Sequence, residues 1–273
     1  MAFGGETAES YYDEGLTASM RGELERAAQC FERALQLDGA YEAARHQLGK
    51  CKARMGQGDE ALSILRDVIT RKPQHITARV DYGFVLLDLG RTEQAKHIFT
   101  EVVSYEPSNA RGYLGLGQAA FREGDYATAM ANAQMALKQG GSHFSAYFLL
   151  GRAALPAGNP QAAEDALEKA ESLMKKSVEL KPDHPESHYF RGEAALARGQ
   201  YANALEYYRE AEKYCENDRY YTAYGEHFTV VDILAKQGLC YQKLGQTDQA
   251  RALGQRVAER DPEHALGKWL NNV

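Results

Sequence analysis

Two short motifs contain residues that could do chemistry, and neither stands in the setting that its chemistry requires. His184 and His188 are four residues apart, as metal-binding histidines on a helix are, but the segment reads HPESH rather than HExxH. No third ligand is fixed nearby, so we favour a surface pair of histidines. The segment Gly115–Ala120 matches the GxGxxA pattern of dinucleotide-binding loops, but that pattern must follow a strand within a βαβ unit.

The remaining polar residues form no recognisable catalytic motif. The sequence contains neither the GxSxG motif of serine hydrolases nor the GxxxxGK[ST] motif of phosphate-binding loops. Acidic residues are plentiful, but charged runs on helices usually face solvent. We therefore predict that the chain is not an enzyme and uses no cofactor and no metal. A small-molecule sensor would need a closed pocket with convergent polar groups, which the sequence neither shows nor excludes.

The cysteines and the hydropathy pattern predict a cytoplasmic protein with reduced thiols. The four cysteines are far apart and form no CxxC pair, so we interpret them as small core residues: Cys30, Cys51, Cys215 and Cys240. The first ten residues contain no apolar core like that of a signal peptide, and no apolar stretch approaches the roughly 18 residues of a membrane span. The formal net charge of -6 disfavours nucleic acid as the main partner, because phosphate binding needs clustered Lys and Arg.

Glycines recur through the chain with a period of 34 residues. An apolar or aromatic residue followed by Gly stands at Leu48-Gly49, Tyr82-Gly83, Leu116-Gly117 and Leu150-Gly151. A second glycine follows seven residues after each of these, at Gly56, Gly90, Gly124 and Gly158, and an alanine five residues later still, at Ala61, Ala95, Ala129 and Ala163. A fixed period with several coincident marks indicates a repeat architecture.

The pattern resembles the tetratricopeptide repeat family, whose 34-residue helix-turn-helix has small residues at positions 8 and 20, a turn glycine at 15 and a bulky residue at 24. With Ala8, Glu42, Ile76, Ala110 and Phe144 as first positions, bulky residues stand at position 24 in Phe31, Leu65 and Phe99, and prolines at position 32 in Pro73 and Pro107. The resemblance implies an all-α, right-handed superhelical solenoid of about seven repeats. Leu266, Trp269 and Leu270 predict a short capping helix at its C-terminal end.

The phase of the repeat predicts one continuous solenoid over residues 1–273 with two insertions. The predicted repeats are 8–41, 42–75, 76–109, 110–143, 144–184, 185–218 and 219–264, with a cap at 265–273. Seven residues are added in the fifth repeat, which predicts a second helix lengthened around residues 163–180. Twelve residues precede the seventh repeat, and the spacing of Tyr221, Phe228 and Val231 predicts that its first helix begins early, capped by Asp218.

In the family, positions 2, 5, 9, 12 and 13 of the first helices line a concave groove; we call these the groove positions. They predict a binding surface that mixes aromatic and basic groups, made of Tyr12, His46, Lys50, Arg54, Phe84, Arg111, Gln118, Phe121, Arg122, Phe148, Arg152, Tyr189 and Glu193. Such a groove favours a protein or peptide partner with acidic groups beside bulky apolar anchors. The alternative is that the aromatics pack within the repeats and the cations pair with carboxylates such as Asp81 and Asp88.

The family's best-known clamp, which holds the carboxylate of a chaperone tail, does not fit this chain. It uses Lys, Asn, Asn, Lys and Arg at fixed positions of three repeats, where the first frame has Tyr12, Leu16, Gln47, Thr77 and Asp81. Later frames fail too. The sequence therefore predicts an adaptor that holds another partner segment. The runner-up is a scaffold or assembly factor that self-associates as a homo-oligomer, through its first repeat or through the aromatic insert at residues 220–228.

Overall fold

The computed structural model describes residues 7–141, 143–217, 219–223 and 226–272. Within these residues the protein has fifteen helices and one two-stranded antiparallel hairpin. The helices are α1 Ala8–Met20, α2 Leu24–Leu37, α3 Glu42–Arg54, α4 Gly58–Arg71, α5 Ile76–Asp88, α6 Thr92–Tyr105, α7 Ala110–Glu123, α8 Tyr126–Lys138, α9 His143–Ala154, α10 Pro160–Leu180, α11 Pro185–Ala197, α12 Tyr201–Tyr214, α13 Val230–Lys243, α14 Thr247–Arg260 and α15 Ala265–Leu270. The strands are β1 Tyr221–Ala223 and β2 Glu226–Phe228.

The helices follow the predicted order of helix-turn-helix repeats, which confirms the all-α class. The chain divides into two compact units, one ending at Glu123 and one beginning at Gly124. Within each unit every helix packs against the next helix along the chain. The single continuous solenoid over residues 1–273 stays a prediction.

In five of the repeats a large side chain of the second helix lies against a glycine of the first helix. Phe99, at position 24, is fully buried, and a Cβ added to Gly83 would come within 2.8 Å of its ring. A Cβ on Gly115 of the next repeat would come within 2.4 Å of the same ring. The same contact joins Gly15 to Phe31, Gly49 to Leu65, Gly151 to Leu167 and Gly192 to Tyr208. Small residues are therefore required where the helices approach most closely.

The turn between the two helices of a repeat needs backbone angles that favour glycine. Gly90 has φ +72°, and the other turn glycines at position 15, from Gly22 to Gly245, are also left-handed. In the fifth repeat the second helix then restarts as the sequence predicts, because Pro160 stands at the start of α10 and the side chain of Asn159 accepts a hydrogen bond from Ala162 N.

The seven extra residues of the fifth repeat lie in α10, which has 21 residues whereas the second helices α2, α4, α6, α12 and α14 have 14. The guanidinium of Arg198, just after α11, donates to Glu164 and to Glu171 on this helix. The hydroxyls of Ser177 and Ser187 meet at 2.7 Å near its other end. These contacts join the long helix to the sixth repeat along most of its length.

The predicted early start of the seventh repeat's first helix is wrong. Residues 221–223 and 226–228 form the hairpin, in which Tyr221 pairs with Phe228 and Ala223 with Glu226. Helix α13 begins only at Val230, because Thr229 and Asp232 cap each other's backbone N–H groups in a capping box. The predicted cap, Asp218, lies outside the described residues. The spacing of the aromatic residues that predicted a helix is also compatible with a hairpin, in which Tyr221 and Phe228 lie opposite each other on the two strands.

The C-terminal end of the described chain has the predicted short helix. Leu270 of α15 is fully buried, and a Cβ on Gly238 would come within 2.5 Å of it. Trp269 is 43% exposed. Among the described helices, none combines the length and the apolar character that crossing a bilayer would need.

Candidate functional site

The predicted groove residues fall into two groups, one in each unit. Tyr12, His46, Lys50, Arg54, Phe84, Arg111, Gln118, Phe121 and Arg122 lie in the first unit, and Phe148, Arg152, Tyr189 and Glu193 in the second. Most of the first group are half-buried or exposed, whereas three of the four in the second group are buried. The two groups therefore differ in what they can offer to a partner.

In the first unit a carboxylate joins the first helices of three consecutive repeats. Asp81 of α5 accepts a hydrogen bond from His46 Nε2 of α3 at 2.7 Å and another from Arg111 Nη2 of α7 at 2.6 Å. His46 and Asp81 are buried, while half of the Arg111 side chain is exposed. The predicted alternative, in which a groove cation pairs with Asp81, is thus confirmed for Arg111.

The surroundings of Asp81 keep it ionised. Burial raises its pKa, but the hydrogen bond from His46 and the positive charge of Arg111 lower it by more, so the pKa of Asp81 lies below its ordinary value. The ring of His75 meets that of His46 edge-on at 4.7 Å. Burial, followed by the neighbouring His46, lowers the pKa of His75. Neither Asp81 nor His75 is among the site residues predicted from the sequence. The signal that could have identified Asp81 is a polar residue next to a groove position.

The guanidinium of Arg111 also lies over the ring of half-buried Phe84, 5.4 Å from its centroid. Arg111 is therefore held from two sides, by a carboxylate and by an aromatic face. The ring of half-buried Tyr12 lies 5.0 Å from that of Tyr41. Gln118 and Phe121 are half-buried as well. This half-open mixture of rings and cations has the composition that the sequence predicts for the groove.

Two of the predicted groove arginines bind backbone carbonyls of the preceding repeat. Both stand at position 13: Arg54 donates to the carbonyl and the hydroxyl of Ser19, and Arg122 donates to the carbonyl of Leu87. These carbonyls lie in the last turns of α1 and α5, and each also accepts a hydrogen bond from the backbone N–H of the turn glycine, Gly22 or Gly90. Because their bonding partners here are neutral, the two arginines still contribute positive charge. Lys50 is half-buried and makes no ion pair with any residue that the structure describes.

In the second unit the chain's own hairpin covers groove positions, which sequence reasoning missed. Phe228 stacks on Tyr189 with ring centroids 3.9 Å apart, and Glu226 accepts a hydrogen bond from Arg152 Nη1 at 2.7 Å. Tyr189 is 4% exposed. The expectation that these positions form an open groove is therefore wrong for this part of the chain. No pattern in the sequence indicated which residues the insert would cover.

The other two predicted residues of the second unit serve internal packing. Glu193 accepts a hydrogen bond from the hydroxyl of Tyr208 at 2.5 Å and pairs with Lys236 Nζ at 2.8 Å. Phe148 is buried against Phe144, with Arg152 over its ring at 5.2 Å. Burial, together with the carboxylate of Glu193, raises the pKa of Glu226, against the opposing effect of Arg152.

The motifs with potential chemistry are absorbed into the fold. His188 is buried and its Nε2 lies 2.7 Å from the carbonyl of Pro182, so the expectation of a surface pair is wrong for this residue. Among the described residues, no group of three or more His, Cys, Asp or Glu side chains is placed to hold a metal ion. Three of the four cysteines are buried, as predicted, and burial raises the pKa of the half-buried Cys215 to about 12.

Comparison with known proteins identifies the repeat. Family models of the tetratricopeptide repeat match residues 18–81, 83–143, 131–177, 150–220 and 233–264. The chain belongs to the tetratricopeptide repeat family. Proteins of this family are in general scaffolds for protein-protein interaction and are in general not enzymes.

Two curated proteins share this repeat sequence at low identity. Protein O-mannosyl-transferase TMTC1 of Homo sapiens is 26% identical over 190 residues, 70% of this chain and 21% of that protein. Protein CTR9 homolog of Arabidopsis thaliana is 24% identical over 238 residues, 71% of this chain and 21% of that protein. The chain thus spans about a fifth of the length of these relatives.

Solved structures of tetratricopeptide repeats show the same fold. A tetratricopeptide repeat protein from Parabacteroides merdae superposes with a TM-score of 0.60 at 15% identity, over 97% of this chain and 98% of that chain. A chain of the APC/C hetero-tetramer Cut9-Hcn1 superposes with a TM-score of 0.61 at 15% identity, over 89% of this chain and 44% of that chain.

Proposed function

We propose that the protein is an adaptor that holds a segment of a partner protein on the groove positions of its second to fourth repeats. The observation that carries this proposal is Arg111, whose guanidinium is fixed by Asp81 and by the face of Phe84 while half of the side chain stays exposed. A cation held in this way loses little freedom when it binds a carboxylate, so binding costs less conformational entropy.

Charge at these positions supports an acidic partner. The groove positions of the three repeats contain Lys50, Arg54, Arg111 and Arg122, against the carboxylates of Asp88 and of the adjacent Asp81. This surface is therefore positive, while the whole chain carries a formal net charge of -6. The half-buried Phe84 and Phe121 lie among these cations and offer apolar contacts. The partner we propose has acidic residues beside bulky apolar ones.

Selection from a displayed library of random peptides tests the proposal and needs no identified partner. The parent protein should enrich peptides that combine Asp or Glu with Phe, Tyr or Leu. Lys50→Glu should weaken binding of an enriched peptide about tenfold, since a favourable charge contact becomes a repulsive one. Arg33→Glu, on the exposed side of α2, makes the same change in net charge and serves as the control. Equal affinity of Lys50→Glu and the parent at low salt would place the site elsewhere.

Self-assembly is the second candidate, and part of the aromatic insert, one of its two proposed surfaces, is buried. Tyr221 and Phe228 of the aromatic insert are 3% and 1% exposed. Tyr220 of the insert is 36% exposed, so the insert and the first repeat both remain candidate contacts between copies. Light scattering over a range of protein concentrations would detect the association. The cytoplasmic localisation also stays a prediction, which imaging of the tagged chain in its own cell would check.

A further inference from the structure

The hairpin is an excursion that the joining of two repeats does not need. Four residues join α2 to α3, α4 to α5, α6 to α7 and α10 to α11, whereas fifteen residues, 215–229, join α12 to α13. Helices α12 and α13 nevertheless pack directly against each other, like the other consecutive helices of this unit. Strand β1 of this segment contacts α11, and strand β2 contacts α13. The length of this segment therefore exceeds what is needed to connect α12 to α13, and its position against α11 and α13 has another explanation.

The hairpin places the ring of Phe228 against aromatic residues of α11, the first helix of the sixth repeat. We call this position, and the position of the Glu226 carboxylate at Arg152, the two seats of the hairpin. Phe228 is 1% exposed, and its ring stacks between those of Tyr189 at 3.9 Å and Tyr221 at 5.2 Å. Phe190 meets the same ring edge-on at 6.0 Å. Tyr189 stands at position 5, one of the positions at which this family contacts its partners. The ring of Phe228 thus lies where a partner's side chain would bind.

A carboxylate of the hairpin binds a second groove position of the same unit. Glu226 is two residues before Phe228 in β2, and its carboxylate pairs with Arg152, at position 9 of the fifth repeat, at 2.7 Å. Alternate residues of an extended strand point to the same side, so an acidic and an aromatic side chain two positions apart can reach the two seats together. Arg152 is itself set over the ring of Phe148. The surface therefore holds the acid-X-aromatic sequence of the chain's own strand β2.

The backbone holds the hairpin only weakly. Its ladder has three residue pairs between two strands, and an isolated two-stranded hairpin of any length is at best marginally stable in water. The side chains of Tyr221, Glu226 and Phe228 therefore provide most of its attachment to the repeats. Contacts of this kind can be matched by a segment from another chain that carries the same side chains.

We propose that the groove positions of the fifth and sixth repeats are a second recognition surface, which the hairpin occupies in the free protein. The ligand that replaces the hairpin is an extended segment of a partner, with an acidic residue two positions before an aromatic one. Its carboxylate pairs with Arg152 and its ring stacks on Tyr189, in the places of Glu226 and Phe228. This site lies in the second unit and is independent of the binding proposed for the first.

A peptide of residues 219–229, labelled for fluorescence anisotropy, tests the proposal. Glu226→Ala/Phe228→Ala removes both side chains from their binding positions, and this variant should bind the peptide at least about tenfold more tightly than the parent does, because the internal competitor is gone. Arg152→Ala in the same background should remove that gain, and a control peptide with Phe228→Ala should bind to neither protein. A folded double variant that binds the peptide no better than the parent would overturn the proposal.

Hydrogen exchange of the unaltered protein decides the question if the double variant does not fold. Amides in peptic fragments that cover residues 219–229 should exchange at least about tenfold faster than those in the middle of α11, through openings that leave the helices folded. Hairpin amides that exchange only as slowly as the interior of α11 and α13 would show that the hairpin leaves its seats only on unfolding, and the proposal would then be wrong.

Discussion

At the scale of single residues, Asp81 is a buried polar group that joins three repeats of the first unit. It satisfies His46 and Arg111 on two other repeats, so Asp81→Ala should leave a buried imidazole and a guanidinium without their acceptor. We expect a loss of about 2 to 3 kcal/mol in the free energy of unfolding, the range for hydrogen bonds to charged groups. Urea denaturation followed by circular dichroism measures this loss. A loss below about 0.5 kcal/mol would show that the bridge contributes little.

The sign of the pH dependence follows from the lowered pKa of Asp81. Because its pKa is lower in the folded than in the unfolded protein, the unfolded chain binds the proton more readily. The stability that Asp81 contributes is therefore complete above the unfolded pKa, near 3.8, and is lost as the pH falls through and below that value. The difference in stability between the parent and Asp81→Asn should shrink between about pH 5 and pH 3. A difference that stays constant over this range would contradict the assignment.

At the scale of elements, the arginines at position 13 act as caps between repeats. The guanidinium of Arg122 donates to the carbonyl of Leu87 in the last turn of α5, whereas Lys50 has no such bond to a carbonyl within the described residues. We expect Arg122→Ala to lower the free energy of unfolding by about 0.5 to 1.5 kcal/mol, as for one hydrogen bond. Lys50→Ala, which removes the same charge, should change stability by less than about 0.5 kcal/mol. Equal thermal stability of the two variants would exclude the capping role.

The sequence predicts those elements whose packing lies within one repeat. Gly83 and Phe99 belong to the same 34-residue period, and the helix boundaries and turns follow from this short-range pattern. The lengthened α10 is predicted for the same reason, because a shift of phase is visible in the sequence. The hairpin is not predicted, since the spacing of Tyr221 and Phe228 suits a helix as well as two facing strands. Its choice depends on Tyr189 and Arg152, which are distant in the sequence.

The candidate site shows the same division. Groove positions identify Lys50, Phe84 and Arg111 from the sequence because the family fixes which face of a first helix they occupy. The pattern cannot show which cations are engaged internally, since the partners of Arg122 and Arg152 are a backbone carbonyl and a residue of the insert. A position in a repeat predicts the face of a helix, and the neighbours that cover this face depend on the tertiary structure.

At the scale of the whole molecule, a positive surface on a negative chain has a kinetic consequence. An acidic peptide approaching the first unit is repelled by the net charge of -6 and attracted only near the groove positions. Glu25 and Glu93 are exposed on the second helices α2 and α6. Glu25→Gln/Glu93→Gln should therefore raise the association rate of the selected peptide by up to about twofold at low salt, where charges act over roughly 30 Å, and leave dissociation unchanged. Stopped-flow fluorescence measures both rates, and an unchanged association rate at low salt would contradict this electrostatic account.

The fit of a large side chain against a glycine within one repeat bears on how such a chain can change its length. Because Gly49 fits Leu65 and Gly151 fits Leu167, duplicating or deleting 34 residues keeps both members of each pair, whereas a cut between them separates a ring or branch from its seat. Some glycine contacts cross a junction: Phe99 also fills the space left by Gly115 in the fourth repeat, and Leu89 of the third repeat lies against Gly58 of the second. Repeats can therefore be gained or lost as whole modules, provided that a repeat inserted after the second or the third one supplies the partner for these contacts across the junction.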